Sequence, residues 1–112
     1  MNTKRYIYEN VEILRIIDGD TIVVNIDLGF NIWKKATLRL YGINAPEIKG
    51  TEKELGLKSK EYVSSLIPIN SYVKLECLGK DKYGRWLANI YKDELFINQH
   101  LIDLKYANIY KI

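Results

Sequence analysis

The sequence predicts a mainly β domain with helices (β/α+β): five strands, a helix between the third and fourth, and a short helix after the fifth. Three observations lead there. Apolar residues alternate with polar ones in five short segments. One segment, residues 51–67, changes to a helical period. Turn residues punctuate the boundaries, as in Asp18-Gly19, "DLGFN" at 27–31, Gly42 with Pro46, and "DKYGR" at 81–85. A length of 112 residues allows one domain, residues 1–112, with a single core.

The elements follow in order. Residues 11–28 read as a hairpin, with Val11, Ile13 and Arg15 on one face of the first strand and Ile22, Val24, Ile26 and Leu28 on one face of the second. Asp18-Gly19 makes the tight turn. "WKKATLRLYGI" at 33–43 is a third strand. The helix at 51–67 places Leu55, Tyr62, Val63, Leu66 and Ile67 on one stripe, with Thr51 and Glu54 spaced as a capping box and Pro68 as its stop. "YVKLECL" at 72–78 returns to period two, with Val73, Leu75 and Cys77 together, and "WLANIYK" at 86–92 is the fifth strand. "INQHLIDL" at 97–104 reads as the short final helix. Five short strands in this order suit a closed five-stranded barrel of the OB type, which leaves few free edges. A flat five-stranded α+β sandwich is the alternative.

Composition narrows the class. Apolar residues form 47% of the chain, which fits a packed domain and excludes a disordered one. The net charge of +3 permits a polyanionic partner without requiring it. A lone cysteine, Cys77, can form no intramolecular disulfide and no thiolate metal cluster, and its alternation with Val73 and Leu75 predicts a buried small hydrophobe. The start "MNTKRYIYENVEIL" has no apolar signal region, and no apolar run approaches a membrane span. The expectation is a cytoplasmic chain or a mature secreted form, with no membrane involved.

Two stretches resist explanation by packing. "RLYGINAPE" at 39–47 brings an arginine, an asparagine and a glutamate together around Gly42 and Pro46, and "IDGDTI" at 17–22 sets Asp20 in phase with inward-facing Ile22 and Val24. A carboxylate at the end of a barrel is costly to bury unless a cation or hydrogen bonds compensate it. Structural readings remain beside the functional ones. Asp18 reads as a turn residue, Arg39 could pair with Glu47, and Arg85 could be a solvated charge. His100 reads as a packing residue, as do Trp33 and Trp86.

Taken together, "IDGDTI", "RLYGINAPE", "ELGLKSKEYV" and "DKYGRWLANIY" resemble the staphylococcal (micrococcal) nuclease family of thermonuclease-like domains, from about residue 11 to about residue 104. The resemblance implies an OB barrel and a Ca²⁺-dependent endonuclease that hydrolyses phosphodiesters of DNA and RNA. It assigns the metal to Asp20, Asn44 and the backbone carbonyl of Ala45, and catalysis to Arg39, Glu47 and Arg85. Substrate grip falls to Lys82, Tyr83 and Tyr110. The departure is Asn44, where the family carries an aspartate; the oxygen ligand is kept and one negative charge is lost, so weaker Ca²⁺ binding is expected. The tail is also too short for the family's long C-terminal helix. The expected partners are DNA and RNA, single strands favoured, with the protein a monomer. A nucleic-acid- or protein-binding domain without catalysis is the other reading.

Overall fold

The computed structural model describes residues 6–111. In chain order it contains β1 (Tyr6–Asp18), β2 (Thr21–Asp27), β3 (Trp33–Leu40), a short β4 (Ile43–Asn44) and a 3-10 turn (Gly50–Glu52). Then come α1 (Lys53–Leu66), β5 (Tyr72–Lys80), β6 (Trp86–Lys92), a short β7 (Leu95–Phe96), α2 (Ile97–Asp103) and a short β8 (Asn108–Ile109). The long strands run in the order β3-β2-β1-β5-β6. The sheet closes on itself where β3 pairs in parallel with β6, Leu38 against Trp86 and Leu40 against Ala88. Closure removes the edges that a flat sandwich would expose, so the barrel is the architecture present.

Inside the barrel, Val11, Ile13, Ile22, Val24, Leu38, Leu75 and Ile90 are fully enclosed, and Val63, Ile67, Ile97 and Leu101 cover the core from the helical segments. Each such side chain contributes about 1.5–3 kcal/mol relative to leaving it in water. Asn98, at the start of α2, is buried and ties the helix to the strand junction. Its Oδ1 accepts from the Ile90 N–H at 3.0 Å, and its Nδ2 donates to the carbonyls of Tyr41 and Ala88 at 3.0 Å. One polar residue among three in "FINQHL" gave no sign of that role.

Several expectations are corrected. Ladder shifts between Ile13 and Arg15 reverse the parity of β1, so Arg15 is exposed and Ile16 is buried. On α1 the buried stripe is Gly56, Ser59 and Val63, and Leu55 faces solvent. The reason is proximity: the helix lies so close to the loops before it that only small residues fit. The Thr51–Glu54 capping box does not form, because a 3-10 turn occupies 50–52 and neither it nor α1 has a side-chain cap. Cys77 is half-buried, since β5 shifts register between Cys77 and Gly79. Trp33 is exposed, whereas Trp86 packs against the core. His100 packs as expected, its Nε2 2.7 Å from the Tyr62 hydroxyl.

Candidate active site

Asp20 ends the two-residue turn between β1 and β2, where the chain has just left the barrel wall. Its backbone N–H donates to Asp18 Oδ1 at 3.1 Å, and its carbonyl accepts from the Leu40 N–H at 2.8 Å. The side chain turns inward and is 6% exposed. Oδ2 accepts from the Ala45 N–H at 2.7 Å, and Oδ1 accepts from the Thr21 hydroxyl at 3.0 Å. The position works only because residue 19 is glycine. A Cβ there would stand 2.8 Å from the Cβ atoms of both Ala45 and Ser59, so the turn, the 45–47 loop and α1 can meet at one point.

Arg39 reaches the same place from β3, since Thr21 and Arg39 are ladder partners. Its Nη1 lies 3.0 Å from the Leu40 carbonyl and 3.4 Å from Asp20 Oδ2, and its Nη2 donates to Asn44 Oδ1 at 3.2 Å. The structural alternative of an Arg39–Glu47 pair is not what forms; the ion pair is with Asp20. Glu47 lines the same cleft, exposed, with no hydrogen bond or ion pair among the described residues. Its backbone is fixed from behind by α1, where a Cβ on Gly56 would overlap the Glu47 carbonyl.

Arg85 enters from the β5–β6 loop, and Asp81 organises it. Asp81 Oδ1 accepts the backbone N–H of Tyr83 at 2.8 Å and of Arg85 at 2.9 Å, while Oδ2 accepts Arg85 Nε at 2.8 Å. Partial burial alone would raise this carboxyl. The Arg85 and Tyr83 backbone donors and the Arg85 guanidinium outweigh it and hold Asp81 below the usual range. The Tyr83 ring contacts two cations, Lys82 Nζ and Arg85 Cζ, each 5.4 Å from its centroid. The tail supplies the last wall: β8 pairs with β4, Asn108 opposite Asn44, and the Tyr110 N–H donates to the Gly42 carbonyl at 2.8 Å. Tyr110 thereby sits with its ring centroid 5.8 Å from the Arg39 guanidinium carbon.

All these side chains line one cleft of about 750 Å³, which Lys80, Leu87 and Lys111 also border. Asp20, Arg39, Asn44, Ala45, Glu47, Lys82, Tyr83, Arg85 and Tyr110 thus come together. Sequence reasoning missed the roles of Asp81 and Gly56, and read Gly19 only as a turn residue. The spacing of Asp81 before Tyr83 and Arg85 is an Asx-turn pattern that could have pointed to it. Gly19 reads locally as a turn residue, but its close approach to Ala45 and Ser59, like that of Gly56 to Glu47, leaves no local signal because the partners are distant in sequence.

The electrostatics of Asp20 test whether a metal fits. Burial pushes its carboxyl from 3.8 up to about 6; Asp18 adds to the rise, and the Ala45 N–H and Arg39 oppose it without cancelling it. A carboxylate so poorly compensated by the protein is short of positive charge. The oxygens that would join it, the Asn44 carboxamide and the Ala45 backbone carbonyl, are hard donors of the kind Ca²⁺ takes. No group of three His, Cys, Asp or Glu capable of holding an ion occurs among the described residues, so a cation here would rest on one carboxylate and neutral oxygens. The residues fit a weakly held oxygen-seeking cation.

A closed barrel of the OB type carries an acid and two arginines at one cleft. The family model described as staphylococcal nuclease homologue matches residues 37–112, and the chain belongs to that family. Similar curated proteins include a thermonuclease of Staphylococcus hyicus, 30% identical over 83% of this chain and 54% of the relative. An uncharacterized endonuclease of Haemophilus influenzae is 34% identical over 88% of this chain and 51% of the relative. An uncharacterized protein of Methanocaldococcus jannaschii is 28% identical over 88% and 58%. The chain therefore spans about half the length of the curated relatives it matches.

Proposed function

We propose that this domain is a Ca²⁺-dependent nuclease that hydrolyses phosphodiester bonds of DNA and RNA with little sequence preference, favouring single strands. The observation that carries this reading is the buried, undercompensated Asp20 carboxylate beside Arg39, in one cleft with Glu47 and Arg85. Asp20, Asn44 and the Ala45 carbonyl are the residues that would hold Ca²⁺, whose chemistry there is Lewis-acid polarisation of a phosphate oxygen.

The chain's own groups account for the rest. Arg39 keeps its Nε–H and one Nη2–H unengaged among the described residues, and Arg85 is gripped by Asp81 only through Nε. Both guanidinium groups therefore retain donors for the non-bridging phosphate oxygens. Those hydrogen bonds strengthen as charge builds on pentacoordinate phosphorus; losing one preorganised donor costs about 10²–10³ in rate. Glu47, an exposed carboxylate without a partner among the described residues, takes the proton of the attacking water or orients it. The new P–O bond forms from that water, the bond to the ester oxygen breaks, and the alkoxide leaves to be protonated. Tyr83 and Tyr110 offer ring faces to bases of any identity, and Lys82 a phosphate contact. An unpaired strand exposes those bases, which is the reason for the single-strand preference.

Asn44 favours a second reading. With an amide where an acid would raise ion affinity, and with that amide's oxygen bonded to Arg39, the cleft could bind nucleic acid without cutting it. Incubating the protein with single-stranded DNA in Ca²⁺ or in chelator separates the two. The nuclease reading expects metal-dependent cleavage that Arg39→Ala and Glu47→Ala each reduce by about 10² or more. Tight binding without cleavage would establish the other.

A further inference from the structure

The hairpin that carries Arg39 has a second end. Between β2 and β3 the chain reads Asp27-Leu28-Gly29-Phe30-Asn31-Ile32-Trp33-Lys34-Lys35. The turn is rigid: the Ile32 N–H donates to the Gly29 carbonyl at 2.9 Å, the Leu28 N–H to the Ile32 carbonyl at 2.8 Å, and the Gly29 N–H to Asp27 Oδ1 at 2.8 Å. Phe30 and Asn31 occupy its corners at φ 57° and 61°. Left-handed backbone is ordinary for asparagine and unfavourable for phenylalanine. This conformation holds Phe30 outward, 96% exposed, beside Leu28, Ile32 and Trp33 at 40%, 55% and 45%. The left-handed pair is what a two-residue type I′ hairpin turn requires, so the backbone serves the fold; an aromatic ring displayed to water at that turn does not.

We infer that this hairpin tip inserts into the headgroup region of an anionic lipid bilayer. The exposed apolar side chains are gathered on one short turn, which enters a lipid interface more readily than it builds a flat protein contact. Its residues are those that favour the boundary between headgroups and acyl chains, with Trp33 at the base and aliphatic and aromatic groups beyond it. Lys34 and Lys35 follow at once, both exposed, and successive strand positions project to opposite faces. A cation on each face of the hairpin complements the negative charge of the lipid surface just where the apolar tip ends. Asp27, the acid nearest the turn, has its carboxylate folded back onto the Gly29 N–H. This is contact with a membrane surface, not a span, and no helix of the described residues is long and apolar enough to cross one. It departs from the sequence expectation that no membrane is involved.

Tip and cleft sit at opposite ends of one ladder, since Thr21 pairs with Arg39 at the cleft and Asp27 with Trp33 at the tip. Six residue steps at about 3.3 Å separate them by roughly 20 Å. A protein seated by its tip would present the cleft away from the bilayer, open to nucleic acid. The inference stands whether or not the cleft is catalytic.

Sedimentation with vesicles tests it, using phosphatidylcholine alone and phosphatidylcholine with phosphatidylserine. The intact chain should pellet with the anionic vesicles. Phe30→Ser with Ile32→Ser should weaken that binding by about tenfold or more. Lys34→Gln with Lys35→Gln should weaken it on anionic vesicles only. In a Trp86→Phe background, emission from Trp33 should shift to the blue as anionic vesicles are added. Neither tip variant should change oligonucleotide cleavage or, should the cleft prove non-catalytic, oligonucleotide binding. The inference is overturned if the intact chain stays in the supernatant with anionic vesicles, or if the tip variant binds them as well as the intact chain. It is also overturned if light scattering shows self-association that Phe30→Ser abolishes, which would give the tip to a second copy of this chain.

Discussion

Replacing Asp20 with asparagine separates what the site costs from what it does. The Asp20 carboxyl rises from 3.8 to about 6 on folding, chiefly through burial. Between those values the folded protein holds a proton that the unfolded chain has released. Wild-type stability therefore falls as pH rises through that window and levels off above it. A rise of about two units corresponds to about 3 kcal/mol, the cost of keeping Asp20 ionised in the fold. Asparagine is nearly isosteric, keeps an oxygen for the Ala45 N–H and does not titrate. Urea unfolding in chelator should show Asp20→Asn more stable than wild type by about 2–3 kcal/mol at pH 8. The gain should vanish below pH 4, with an unchanged m-value. Cleavage in Ca²⁺ should fall by about 10² or more. Equal or lower stability of the variant at pH 8, or a difference independent of pH, would refute the argument that burial of this charge is uncompensated.

Other perturbations follow from the same geometry. Arg39→Ala should lower kcat by about 10²–10³ and leave the nucleic-acid Kd within about tenfold, measured by single-turnover cleavage and anisotropy. Gly56→Ala forces a methyl against the Glu47 carbonyl; it should cost about 1–3 kcal/mol in urea unfolding and reduce cleavage by moving Glu47. Asp81→Ala frees the Tyr83 and Arg85 backbone and side chain, so kcat should drop about tenfold or more with little change in unfolding midpoint, because the loop lies outside the core. Asn44→Asp restores a negative charge beside Asp20 and should tighten Ca²⁺ binding roughly tenfold by calorimetry.

Much of the barrel was legible because strand period and turn chemistry are local signals. Ile22, Val24 and Ile26 alternate without interruption, and their inward phase extends to Asp20, which is buried. What failed was non-local. Arg15 and Ile16 exchanged faces through a bulge, which depends on the partner strand rather than on the sequence of β1. Gly56 and Ser59 replaced Leu55 on the buried stripe because α1 approaches the 45–48 loop, a contact that no hydrophobic period encodes. The parallel β3–β6 closure and the β4–β8 pairing join segments far apart in the chain and left no mark in either segment. At the site, the charged residues stood out because packing gave them no role. Asp81 and Asn98 did not, because each acts on backbone groups that every residue possesses.

The account turns on a cation and a phosphate sharing the cleft at Asp20 and Arg39. Calorimetric titration of Ca²⁺, with and without a nucleoside 3′,5′-bisphosphate, tests that most directly. Each ligand should tighten the other's binding by the same factor, and Asp20→Asn should abolish the coupling. Ca²⁺ affinity unchanged by the bisphosphate, or coupling that survives Asp20→Asn, would contradict it.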